Sequence, residues 1–113
     1  MQRVLTIAVV TLLVTASAAW AKDTQFWNLT VDTIVSFQLS PPGKNQWGDN
    51  QTANDKDGSV DPDERLKITN TPPGVYDAKF TDKKGRTCVV PGVNVEAGKI
   101  FSIEETKLVA CTH

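Results

Sequence analysis

The sequence carries little with which to do acid–base or thiol chemistry. Its single histidine, His113, is the last of 113 residues, a position where chains fray, so a Cys-His or Ser-His-Asp arrangement has no credible base. Cys88 and Cys111 are the only cysteines, and their separation is not the C-x-x-C spacing of a redox-active pair. Neither sign of charge dominates, with 12 basic against 13 acidic side chains. That balance gives no reason to expect a nucleic acid or an anionic membrane surface as partner. Repeats, low-complexity stretches and the 3.6-residue period of a long helix are absent as well. Carboxylates are plentiful, but nothing in their order shows which of them converge. These shortages argue against an enzyme.

What is present begins with an address. Arg3 forms a short basic start, Val4–Val14 is an apolar run, and Thr15–Ala21 ends in Ala19-Trp20-Ala21, with small residues at both positions of an A-x-A cleavage site. Cleavage after Ala21 fits best, with Ala18 and Ala19 as alternatives. An uncleaved anchor is the competing reading, but the run falls short of the ~20 apolar residues that a spanning helix needs. Neither cysteine lies near the junction, which excludes a lipid-modified N-terminal cysteine. The brevity of the signal points to a bacterial envelope, so the expected location is the periplasm or outside the cell.

The remainder, Lys22–His113, is about 92 residues and forms one small domain. Without Arg3 it holds 11 basic and 13 acidic side chains, a formal charge of −2. A core this small benefits from a staple, and an oxidising compartment permits one. A Cys88–Cys111 disulfide would close a loop of about 24 residues, worth about 3 kcal/mol in the chain-entropy model.

The strand pattern is clearest over Val75–Val90. Tyr76, Ala78 and Phe80 alternate with polar neighbours, Asp82-Lys83-Lys84-Gly85 supplies a turn, and Arg86–Val90 returns. Phe26–Val31 reads as a first strand. Thr33–Leu39 reads as a second, with Val35, Phe37 and Leu39 on one face against Ile34, Ser36 and Gln38, and it is stopped by Ser40-Pro41-Pro42-Gly43. Lys44–Thr52 reads as loop. Arg65–Thr69 alternates again, with Leu66 and Ile68 facing in. Pro91-Gly92 is expected to break the chain before a short Val93–Val95 strand, and Ala97-Gly98-Lys99 turns into Ile100–Ile103. Glu104–Cys111 fits either a strand or a helical turn, with Leu108 packing inward. About seven short strands separated by Pro/Gly turns predict an all-β fold, a small antiparallel sandwich.

Several of these pieces form a longer pattern. Phe26-Trp27-Asn28-Leu29-Thr30, Leu39-Ser40-Pro41, Trp47-Gly48, Pro73-Gly74-Val75-Tyr76-Asp77 and the hairpin from Asp82 through Gly85 to Cys88 stand in order along most of the chain. The set resembles small exported proteobacterial proteins of uncharacterised function, whose pattern is F-x-N-x-T, S-P, W-G, P-G-x-Y-D and D-x-x-G-x-x-C. The resemblance implies a periplasmic β-sandwich-like domain and carries over no catalytic residue. The chain departs from it in Gln51–Glu64, which is longer and more acidic.

That acidic segment and one aromatic are the candidate sites. With Gly58 at position six of a calcium-loop template, Asp55 and Asp57 fall at three and five, Asp61 at nine and Glu64 at twelve. Hard oxygen ligands at that spacing suit Ca²⁺. Against it stand Ala53 at position one, where a carboxylate is needed, and strand period rather than helix after Glu64. The plain alternative is a solvated loop whose Asx residues cap their own backbone. Trp47 either anchors its loop to the sheet or contacts a partner. The expected function is therefore an exported binding or interaction module that uses loop surfaces at one end of the sandwich or an exposed edge strand for a protein or envelope ligand, with weak Ca²⁺ binding by the 54–64 loop as the alternative. Mass spectrometry of the exported protein should find Lys22 as its first residue; Met1–Ala21 retained on the functional form would show an anchor instead.

Overall fold

The computed structural model describes residues 22–113; the leader expected over residues 1–21 lies outside the described residues. The described chain forms β1 (Gln25–Leu29), β2 (Ile34–Ser40), β3 (Arg65–Lys67), β4 (Gly74–Asp82), β5 (Thr87–Val95), β6 (Ile100–Glu104) and β7 (Cys111–Thr112), with short 3-10 turns at Gln51–Asn54 and Glu105–Lys107. They build two sheets, one ordered β3-β1-β6 and the other β2-β4-β5-β7. Every pairing is antiparallel except β1–β6, which is parallel.

The alternation of each strand sets the core between the sheets. Phe26 of β1 stacks on Phe37 of β2 with ring centroids 4.2 Å apart, and Phe101 of β6 lies 5.6 Å from Phe26. Leu66, Ala78, Phe80, Val93, Val95 and Ile103 belong to the same buried set. Cys88 and Cys111 are register partners on β5 and β7 and are joined as a disulfide. The staple holds a strand of only two residues, too short to hold itself by its ladder.

Three expectations needed correction, and in each case the backbone is the reason. Pro91-Gly92 does not break the chain, because β5 runs through it as a bulge: Tyr76 pairs with Val93 and Ala78 with Val90, so two residues oppose Asp77 alone. Gly92, at φ 73°, takes the left-handed conformation that the bulge needs. In β2 a second irregularity sits at Val35, between Ile34 and Ser36, so Ile34 as well as Phe37 and Leu39 turns inward. The first strand stops at Leu29 because Thr30 bends back to hydrogen-bond Asn28. The open choice over Glu104–Cys111 resolves into a 3-10 turn followed by β7, with Leu108 packed on the core.

A charged cluster ties three connections together. Arg86 donates from Nε to Asp82 Oδ2 at 2.9 Å and from Nη1 and Nη2 to the two oxygens of Glu105 at 2.7 and 3.1 Å. Glu105 also accepts from the Val31 amide, and Asp82 accepts from the Lys84 and Arg86 amides. The 4–5 hairpin turn, the end of β1 and the exit of β6 are thus fixed to one guanidinium. Burial alone would raise the Asp82 carboxyl, but the hydrogen bonds from Arg86 and Lys84 outweigh it and hold it below the ordinary range. The Arg86 hydrogen bonds likewise depress Glu105, and the Arg86 guanidinium is raised in turn, chiefly by Glu105.

Because both carboxyls are depressed in the fold, their contribution to stability is full above about pH 4 and is lost as pH falls through their native values. Arg86→Met should cost about 1–3 kcal/mol at neutral pH, because Asp82 keeps its two amide donors and Glu105 is a third exposed, and should flatten the fall in stability below pH 4. Urea unfolding from pH 7 to pH 3 checks both; equal acid sensitivity in the two proteins would count against the cluster.

Candidate functional site

A sandwich of two open sheets has edges, and each edge strand carries unpaired backbone groups that would template another chain unless guarded. Three of this fold's edges are guarded. β3 is three residues long with exposed Arg65 and Lys67 on its outer face, and the Asn54 amide caps its Lys67 carbonyl at 2.8 Å. The segment Gly48–Thr52 lies along β2: the Gly48 amide donates to Leu39 O at 2.9 Å, the Phe37 amide to Asn50 Oδ1 at 2.9 Å, and Thr52 Oγ1 to Val35 O at 3.3 Å. β7 is two residues held by the disulfide.

The fourth edge is open. β6 reads Ile-Phe-Ser-Ile-Glu, without Lys, Arg or Pro, and pairs only with β1. The Gln25 amide donates to Lys99 O at 3.1 Å, which fixes the alternation of a parallel ladder. The N–H and C=O groups of Ile100 and Ser102 and the N–H of Glu104 therefore point away from β1, while the Glu104 carbonyl is taken by the 3-10 turn that follows. Across the sandwich the upper half of β5 is also an edge, since β7 pairs only with Thr87 and Cys88. Pro91, which has no amide to give to a ladder, sits in that half.

Between these two edges runs a groove of about 600 Å³, lined by Val90–Asn94, Phe101–Glu104, Lys107 and Val109, with more apolar than polar surface. Four large apolar side chains are markedly exposed among the described residues: Val31, Val75, Ile100 and Val109. One of them, Val109, lines the groove, and another, Ile100, begins β6 on its outer face. The Arg86–Glu105 pair fixes the point where β6 ends, and so sets one end of the groove. An open ladder beside an apolar trough can do one chemical thing well. It can take an extended peptide, pairing its backbone and burying alternate side chains.

The residues singled out in the sequence lie elsewhere. Among the described residues no three His, Cys, Asp or Glu side chains are grouped to hold a metal ion. Asp55 Oδ2 accepts from the Asp57 amide at 2.9 Å, Asp61 Oδ1 from Thr33 Oγ1 at 2.9 Å, and Glu64 Oε1 from the Asp61 amide at 2.8 Å. The Asp57 carboxylate is exposed. Asp55 and Glu64 cap turns, Asp61 ties the segment to Thr33, and Val60 bridges to Ile34, so the segment is held to the sandwich. Trp47 is half-buried with Lys79 Nζ 4.7 Å above its ring, against the outer face of the four-stranded sheet and away from the groove. Cys88 and Cys111 are structural, side by side on β5 and β7.

Sequence reasoning did not find the groove. Its one signal was the lack of any guarding residue in Ile100–Glu104, which shows only once the other edges are known. No family model, no curated protein and no solved structure matches the chain.

Because the loop carboxylates serve their own turns, millimolar Ca²⁺ should leave the melting temperature nearly unchanged, and Asp57→Ala should cost within about 0.5 kcal/mol, as exposed substitutions do. A Ca²⁺-dependent rise of several degrees, absent with Mg²⁺ and lost in Asp57→Ala, would show that the loop reorganises around the ion.

Proposed function

We propose that the protein is an exported binding module of the bacterial envelope that takes an extended polypeptide segment as an added strand on β6. One observation carries this reading: β6 is left unguarded beside an apolar groove, while β3, β2 and β7 are shortened, charged or covered and the upper half of β5 is interrupted by Pro91. The partner's backbone would pair with the outward groups of Ile100, Ser102 and Glu104, giving affinity for any extended chain. Selectivity would come from the trough, where Val90, Val93, Phe101, Ile103 and Val109 favour apolar residues at alternate positions. The surface of the module does the work, and no bond in the partner is broken.

Panning a random peptide library against the folded protein should enrich sequences with apolar residues at every second position. Their binding should shift the amide resonances of Ile100–Glu104 and Val93. Ser102→Pro removes an amide that points away from β1, so the β1–β6 ladder keeps its bonds while the outer ladder loses a donor. That variant should bind the selected peptides at least about tenfold more weakly, about 1.4 kcal/mol, with its disulfide and circular dichroism unchanged. Unaltered binding by Ser102→Pro, or shifts confined to another surface, would overturn the proposal.

A further inference from the structure

Resting on that reading, we infer that in the free protein the strand laid on β6 is β6 of a second copy. Phe101 and Ile103 face the sandwich interior and line the groove, while Ile100, Ser102 and Glu104 face out, so an antiparallel joined sheet sets the apolar grooves of the two copies side by side on one face. Antiparallel pairing about a two-fold axis through Ser102 sets Ile100 opposite Glu104 of the other copy and Ser102 opposite Ser102. In that register all the outward residues of one ladder meet the outward residues of the other.

Charge fits the same register. Exposed Lys99 comes near the exposed Glu104 of the second copy, whose Glu105 stays paired with its own Arg86, and no like charges stand directly across from each other. The geometry also closes. The joined sheet runs β3-β1-β6-β6-β1-β3, and its new ends are the short, cation-flanked β3 strands. Assembly therefore stops at two copies and does not continue into a fibre. A contact of five residues a side is small, so the dimer is a weak one.

Sedimentation equilibrium of the exported, disulfide-bonded protein between about 1 µM and 1 mM should show a monomer–dimer transition. Ser102→Lys sets two ammonium groups across the axis at an exposed position, and should weaken self-association at least about tenfold while leaving the melting curve unchanged. Ser102→Cys should form a disulfide-linked dimer on mild oxidation, since Cα atoms of a hydrogen-bonded antiparallel pair lie about 5.5 Å apart, within the span of a disulfide. A wild-type protein that stays monomeric over the whole range overturns self-pairing. If that monomer still captures alternating peptides at β6, strand addition stands without it. A dimer that Ser102→Lys does not weaken overturns self-pairing too, because it uses another surface.

Discussion

Asn28 has no exposed surface, and the rest of the sandwich depends on satisfying it. A buried amide side chain left unpaired would cost on the order of 1–3 kcal/mol, a large share of the stability of so small a domain. Here its Oδ1 accepts from the amide and hydroxyl of Thr30, and its Nδ2 donates to the carbonyls of Asp32 and Val60. Its backbone pairs with Glu64 and Asp63. One side chain thereby turns the chain out of β1, aims it into β2, and binds the far end of the acidic segment to the three-stranded sheet. Those requirements explain why Asn and Thr stand two apart in Phe26–Thr30.

The same logic runs through the other motif positions. Ser40, fully buried, accepts from the Gln46 amide and donates to Pro41 O, folding the loop after β2 back on itself. Asp77 receives the Gly43 amide, and the Tyr76 hydroxyl donates to Pro72 O. Asp82 closes its hairpin by accepting two amides and Arg86 Nε. Each conspicuous polar residue holds a loop in place, and this is work a small core cannot do with apolar contacts alone. With these side chains committed to structure, the proposed site is built from backbone groups on one edge and the apolar trough beside it. A site of that kind has no residue signature of its own.

Local chemistry made much of the fold readable in the residues. The 4–5 hairpin followed from period-two alternation and a turn whose Gly85 sits at φ 85°. The disulfide followed from two cysteines, a small core and the oxidising compartment expected from the leader. The strand count followed from Pro/Gly punctuation, although one such signal misled: Pro91-Gly92 looks like a break, yet a bulge tolerates a proline whose missing amide faces an open edge. The inward turn of Ile34 and the Arg86–Glu105 pairing were not readable, because the first depends on a ladder irregularity and the second joins a hairpin turn to a residue 19 positions further along the chain.

By itself, then, the sequence determined the class of fold, the staple and the polar residues that would need partners. All of these rest on periodicity, on turn chemistry, or on the cost of burying a polar group, and each acts over a few residues or on composition alone. Only the tertiary structure decided which strands became edges, that β6 runs parallel to β1, and that Gly48–Thr52 covers one edge while another stays bare. Edge status is a property of what lies beside a strand. The residues of Ile100–Glu104 read the same whether a neighbour covers them or not.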